Sequence, residues 1–251
     1  GETALGKTRL EAFSDGVIAI IITIMVLEMK VPHDPTPAAL VALLPVFLSY
    51  VLSFVYVGIY WNNHHHLLHA CSQVSGAVLW ANLHLLFWLS LLPFATGWMG
   101  ENHVATLPSA IYGAVLLMAA IAYWILQQTI IATDGPDSVL GSAVGGDWKG
   151  KLSPVAYLLG IASTFWLPWL AQALYVLVAL VWLGSGVFIV QEGQQAVVTS
   201  FGRYAYTVDA GIQWRFPYPF QAHETVSVTQ LRTADVGRNA VIAATGLRDS
   251  S

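Results

Sequence analysis

From Val17 to Leu27 the chain carries Thr23 as its only polar residue, with Arg9, Glu11, Ser14 and Asp15 at the entrance and Glu28, Lys30 and Pro32 at the exit. An apolar run with charges only at its ends reads as a helix crossing a bilayer, whose hydrocarbon core of about 30 Å it spans with some tilt. At helical spacing Gly16, Ile20, Thr23, Ile24 and Leu27 share one face, a narrow apolar stripe holding a single hydroxyl. Asp15 stands near the start of that stripe. An ionisable group so close to hydrocarbon needs a cation or several donors, and Arg9, within two turns, is one candidate partner. Ser14 and Asp15 also suit an N-terminal cap serving the first free N–H groups, and both readings stay open.

The same pattern recurs. After VPHDPTP, further apolar runs span roughly 40–61, 78–98, 111–131, 155–167 (broken at Pro168) and 170–190, giving six in all. Hydrophobic residues make up 56% of the chain and charged residues 10%, against about a quarter charged in soluble domains, so the class is a multi-pass membrane protein. The segment TDGPDSVLGSAVGGDWKGK, 133–151, is too hydrophilic for the bilayer and reads as a loop. Trp61, Trp98, Trp148, Trp166 and Trp169 fall near run ends, where an aromatic belt places them. Cys71 is the lone cysteine, which excludes an internal disulfide, and no basic patch suggests nucleic acid. The acidic entrance to the first run and the lack of a small-residue cleavage site argue against a signal peptide.

Nine of the ten Lys and Arg residues, all but Lys30, fall on one side of six crossings. That bias predicts both termini in the cytoplasm. From Gln191 onward the composition changes to alternating strands with turn signals such as Asp209-Ala210-Gly211, a β-rich piece too small to bury a large core. Within WNNHHHLLH, residues 61–69, His65 and His69 lie one turn apart, the spacing of zinc ligands, with His64 and His66 beside them. No carboxylate lies close enough in sequence to complete such a site, and interhelical hydrogen bonding is the plainer role. Asn82 and His84 in the third run are read the same way, as packing groups that bond to neighbouring helices.

Arg9-x-x-x-Phe13-Ser14-Asp15, Gly58-Ile59-Tyr60-Trp61-x-Asn63-His64-His65, Leu79-Trp80-x-Asn82-Leu83 and Leu92-Pro93-Phe94-x-Thr96 resemble, in order and spacing, the prokaryotic transmembrane-protein-175 family of potassium channels. The resemblance covers residues 7 to about 183. It implies a homotetramer whose subunits each contribute six helices, with a pore lined by the first. No re-entrant filter is implied, and no TVGYG-like stretch occurs. By position Ile20 resembles the family's constriction, Ile24 and Leu27 the apolar positions one and two turns further on, and Thr23 a polar pore position. Arg9, Asp15, His64, His65 and Asn82 would form a buried network, in motifs completed by Phe13, Ser14, Asn63 and Trp80.

The segment FIVQEGQQAVVTSFGRYAYTVDAGIQWRFPYP resembles the start of an SPFH, or band 7, domain of the HflK type, which implies a periplasmic domain behind one membrane helix. That conflicts with a channel whose C-terminus returns to the cytoplasm. The chain is therefore read as a fusion: a six-helix channel domain over 1–183 and a truncated SPFH-like segment over 184–251. The expected fold is an all-α integral membrane protein with six transmembrane helices and a short β-rich C-terminal fragment. The expected function is a potassium-permeable cation channel in a bacterial inner membrane. It is not an enzyme, and its partners are the bilayer and permeant potassium ions, with no cofactor or resident metal. The rival readings are a membrane scaffold or protease regulator carried by the tail, and a metal transporter carried by the histidines.

Overall fold

Proline and hydroxyl side chains mark where the helices begin. In the computed structural model residues 2–138, 140, 141 and 148–227 are described, and the helices are α1 (Glu2–Leu27), α2 (Pro37–Ala42), α3 (Leu44–Ala70), α4 (Gly76–Ser90), α5 (Leu92–Glu101), α6 (Thr106–Asp134), α7 (Trp148–Ser163) and α8 (Pro168–Gly184). Thr36 caps α2, its hydroxyl accepting from Ala39 N at 3.4 Å, and Ser75 caps α4, accepting from Val78 N at 3.3 Å. Pro37, Pro45, Pro93 and Pro168 each fall at the first or second helical position, where a missing N–H costs nothing. Pro93 also divides the third run into α4 and α5, because a proline cannot continue the hydrogen-bond ladder across Leu91.

Four stretches are long and apolar enough to cross a membrane: Gly6–Leu27, Leu44–Ala70, Gly76–Glu101 and Thr106–Asp134. The six crossings read from sequence are thus reduced, among the described residues, to four of full length and two short helices. At 1.5 Å per residue α7 and α8 are about 24 and 25 Å long, somewhat less than the hydrocarbon core. The core lies where α4 meets α6, around Leu85, Leu89, Leu116, Ala119, Ala122 and Leu126. The Tyr175 side chain of α8 fills the space that Gly113 of α6 and Gly160 of α7 leave open; a Cβ on either glycine would overlap its ring or hydroxyl. Tyr175 donates to Ser109 O at 3.3 Å and its own carbonyl accepts from Tyr56 at 2.6 Å, so one residue ties α8 to α3 and α6.

Side chains also fasten the helix ends. Lys7 donates to the carbonyls of His69 and Cys71 at 2.9 and 3.0 Å, closing the C-terminus of α3, where a cation is favoured. Asp134 accepts from Ser72 N and Ser72 Oγ at 2.8 and 2.6 Å, pinning the α3–α4 turn to the end of α6. At the other end of the bundle Lys30 pairs with Glu101 at 2.8 Å. This pair is open to solvent, and the hydrogen bond and charge of Glu101 raise the Lys30 pKa.

Past α8 the chain forms β1 (Val187–Val190), β2 (Gln194–Ser200), β3 (Arg203–Val208), β4 (Gly211–Trp214) and β5 (Gln221–Ser227). β1 pairs antiparallel with β4, and β2 lies between β3 and β5, both antiparallel to it. Phe188, Val190, Ala196 and Val198 make a small core of their own. The tail touches the helices: Trp214 donates to Leu183 O at 2.9 Å, and the His66 ring meets Phe216 and Phe220, centroids 4.7 and 5.3 Å away. Since Lys7 and the tail both reach the last two turns of α3, the chain starts and leaves the bundle at the same end.

Three boundaries differ from the sequence reading. The second run continues as helix to Ala70, well past Trp61, because its polar side chains find partners within the bundle. Val187–Val190, read as the end of the sixth run, is a strand, since Gly186 packs so tightly on the Arg215 carbonyl and the Trp214 ring that the chain turns away there. Trp148–Lys151, read as loop, opens α7, while residues 139 and 142–147 of the preceding linker and all strands expected beyond Ser227 lie outside the described residues.

The tail carries its own titration. Arg215 Nε donates to His223 Nδ1 at 2.9 Å, and the His223 ring stacks on Phe188 with centroids 4.1 Å apart. Burial, and then the Arg215 charge, hold the His223 pKa below its ordinary value. A histidine whose folded pKa is depressed contributes stability above its unfolded pKa, about 6.5, that is lost as pH falls below it. Hydrogen-exchange protection of β2 and β5 is expected to drop more between pH 7 and pH 5 than it does in His223→Gln. Equal loss in both proteins would separate His223 from the effect.

Candidate functional site

The periodicity of α1 divides it into two faces. Leu10, Ser14, Ile18, Ile21 and Met25 are buried against α3, α4 and α5. Gly16, Ile20, Thr23, Ile24 and Leu27, the stripe expected to face a pore, are exposed, Ile20 by 57%. No atom lies within 4 Å of where a Cβ on Gly16 would sit. The Thr23 hydroxyl donates to Ile20 O at 2.9 Å, which leaves its oxygen lone pairs facing outward. α1 is also the least buried of the four long spans, at 28% of its most apolar window against 33 to 50% for the others. A groove of about 450 Å³ runs beside the stripe, lined by Val17, Ile20, Ile24, Glu28, Pro93 and Phe94 among others. Glu28, not singled out from sequence, places a carboxylate at the exit of the stripe, where Lys30 is already paired with Glu101.

Beneath the stripe, on the buried face, runs a chain of hydrogen bonds. His64 of α3 meets Asn82 Oδ1 of α4 at 2.6 Å, Asn82 Nδ2 donates to Ser14 Oγ of α1 at 3.0 Å, and Ser14 donates to Leu10 O at 2.8 Å. The side-chain oxygen of Asn82 only accepts, so the network assigns the proton to His64 Nε2. All three side chains are buried, and each bond leaves no member short of a partner within the relay.

Of the network expected from sequence, the structure brings together His64, Asn82 and Ser14. Asp15 is exposed and accepts from Trp61 Nε1 at 3.0 Å, and no ion pair joins it to Arg9 among the described residues. The reason is angular: residues six apart stand about 120° apart around a helix, outside the i, i+3 and i+4 relation that brings side chains together. Arg9, Phe13 and His65 are exposed, Trp80 by 75%, and His65 packs between the Trp61 and His69 rings. Asn63 is partly buried, its Oδ1 without a hydrogen-bond partner. Among the described residues no group of three or more His, Cys, Asp or Glu side chains is gathered as a metal site would require. Trp61 as the donor to Asp15 was not foreseen; the signal available was its position one turn before His65 in the same motif.

Comparison with known proteins gives the following. The family profile described as endosomal/lysosomal potassium channel TMEM175 matches residues 9–93, and that of the SPFH domain / Band 7 family matches residues 188–248. A potassium channel of Chryseobacterium sp. (strain P1-3) is 57% identical over 177 residues, covering 70% of this chain and 92% of that protein. The endosomal/lysosomal proton channel TMEM175 of Mus musculus is 30% identical over 200 residues, covering 70% of this chain and 40% of that protein. The crystal structure of a lysosomal potassium-selective channel TMEM175 homologue from Chamaesiphon minutus superimposes with a TM-score of 0.62 at 27% identity, covering 70% of this chain and 95% of that one.

Proposed function

Because the chain belongs to the TMEM175 family, we propose that it is a potassium-permeable channel of the cell membrane, assembled from four copies around a pore lined by α1. The observation that carries this reading is the division of α1, whose packing face is complete within one chain while its apolar opposite face, with Thr23 at its centre, has no cover. A bare apolar stripe on a membrane helix is satisfied by lipid or by copies of itself, and the hydroxyl and the neighbouring Glu28 carboxylate suit the second arrangement. Four Ile20 side chains would form a dry ring in which an ion sheds water or waits for the ring to widen. Ile24 and Leu27 continue the apolar wall, and Glu28 raises the local cation concentration at the exit. The ligand of this pore is the permeant ion.

In this reading residues 1–183 are the channel domain and 184–251 an SPFH-like appendage. α7 and α8 complete six crossings, and both termini lie in the cytoplasm. The start of α1 and the tail at one end of the bundle suit an even number of crossings. A scaffold or protease-regulator role carried by the tail has only the partial SPFH match behind it. Potassium efflux from loaded liposomes is expected from the full chain and, within about twofold, from a chain ending at Leu183, since among the described residues the tail packs on the ends of α3 and α8 and makes no substantial contact with α1. Native mass spectrometry is expected to give four copies. Efflux absent from both proteins, or a stable dimer, would remove the channel reading.

A further inference from the structure

Among the described residues, the buried side-chain polar atoms without a hydrogen-bond partner are Asn63 Oδ1 and Gln127 Nε2. Both residues stand in the wall of one cavity of about 390 Å³ between α3, α6, α7 and α8, roofed by Tyr218–Phe220 of the tail. That volume lies within the roughly 300–1,000 Å³ of small-molecule sites. Gln127 is only 5% exposed, and an amide N–H buried without an acceptor is destabilising. Among the described residues the wall contains one charged side chain, Lys151, and no carboxylate. Lys151 forms no ion pair among the described residues. The rest of the lining mixes aromatic side chains, Trp124 and Trp182 among them, with aliphatic and small residues. The cavity therefore combines an uncompensated cation, an unused amide donor and an aromatic slot between membrane helices, at the end of the bundle where the chain enters and leaves.

We propose that this cavity holds an anionic phospholipid, its phosphate met by Lys151 and the Gln127 amide and the start of an acyl chain lying among the aromatic side chains. Basic pockets between membrane helices near the interface are recognised sites for anionic headgroups. A phosphate oxygen supplies the acceptor that Gln127 Nε2 lacks, and a glycerol or headgroup hydroxyl supplies a donor for Asn63 Oδ1. The inference does not depend on ion conduction, so a protein that carried no current would still be expected to bind.

The test uses the full chain, delipidated in detergent, with thermal unfolding followed in the presence of dioctanoyl-phosphatidylglycerol, dioctanoyl-phosphatidylcholine or glycerol 3-phosphate. Phosphatidylglycerol is expected to raise Tm by several degrees more than phosphatidylcholine at equal concentration, and glycerol 3-phosphate to have little effect. Lys151→Gln and Gln127→Leu are each expected to abolish most of that difference, while Lys30→Gln, at the opposite end of the bundle, keeps it. Gln127→Leu should also raise the Tm of the lipid-free protein, because it removes the stranded donor, which shows that the variant folds. Equal stabilisation by the two lipids, or a difference that survives in Lys151→Gln and Gln127→Leu, would overturn the proposal. Stabilisation by glycerol 3-phosphate matching that by phosphatidylglycerol would also overturn it, in favour of a soluble phosphate.

Discussion

Replacing Ile20 with asparagine is expected to raise potassium efflux from liposomes by about tenfold or more and to narrow the preference for potassium over sodium. A tenfold change corresponds to about 1.4 kcal/mol, a modest demand on a substitution that turns four branched apolar side chains into four amides at one level of a pore. The side chain is 57% exposed within one chain, so its loss removes little packing. The unfolding midpoint should accordingly stay close to wild type, with a change within about 0.5 kcal/mol. Thr23→Val, at the centre of the same stripe, should act in the opposite direction by removing the one hydroxyl there. A well-folded Ile20→Asn protein with unchanged efflux and ion preference would exclude Ile20 from the conduction path.

Asn82→Leu is expected to be the most destabilising single change on the buried side of α1, by about 2–4 kcal/mol. Hydrogen bonds between membrane helices average under about 1 kcal/mol where the groups can find other partners. Ile18, Val78 and Leu85, about one turn from Ser14 and Asn82 along their helices, are buried and apolar and offer His64 Nε2 no acceptor. A donor stranded there bears the full penalty of about 1–3 kcal/mol, to which the lost Asn82–Ser14 bond adds. His64→Phe in the Asn82→Leu background should cost much less than His64→Phe alone, since the partner is already gone. Urea unfolding of the detergent-solubilised protein measures both, and strict additivity would mean that the two side chains serve different partners. By contrast Asp15→Asn, at an exposed site with Trp61 as its donor, should change stability by less than about 1 kcal/mol.

The helices were legible where an unbroken apolar run made the bilayer the dominant constraint. The two faces of α1 followed from the 3.6-residue period alone, and Ser14, His64 and Asn82 were named before their bonds were seen. What could not be read were features decided by a neighbour. The polar sequence Trp61 to His69 looked like an exit from the membrane, but Asn62 bonds back to Gly58 O and His64 to Asn82, so α3 runs on to Ala70. Val187–Val190 is as apolar as a helix end; only its pairing with Gly211–Trp214 makes it a strand. The keystone placement of Tyr175 against Gly113 and Gly160 joins residues up to 62 positions apart, and no local pattern announces it.

In the proposed channel, the relay also limits how the pore is able to open. Ser14 and Thr23 stand about 180° apart around α1, because nine residues make two and a half turns. Any twist of α1 that swung the stripe away from its present direction would carry Ser14 off Asn82 at the same time, and Asn82 is itself held by His64. The helix is keyed against rotation at its entrance, while the ion pair beyond its exit, among the described residues, is the exposed Lys30–Glu101 contact. If Ile20 forms the proposed constriction, movement there would be channelled into bending beyond Ser14 and into rotamer changes of Ile20 itself, both of which leave the key in its slot. A gate of that kind resembles a hinged reed more than a turning tap: fixed at one end, and compliant along the length that carries the ion.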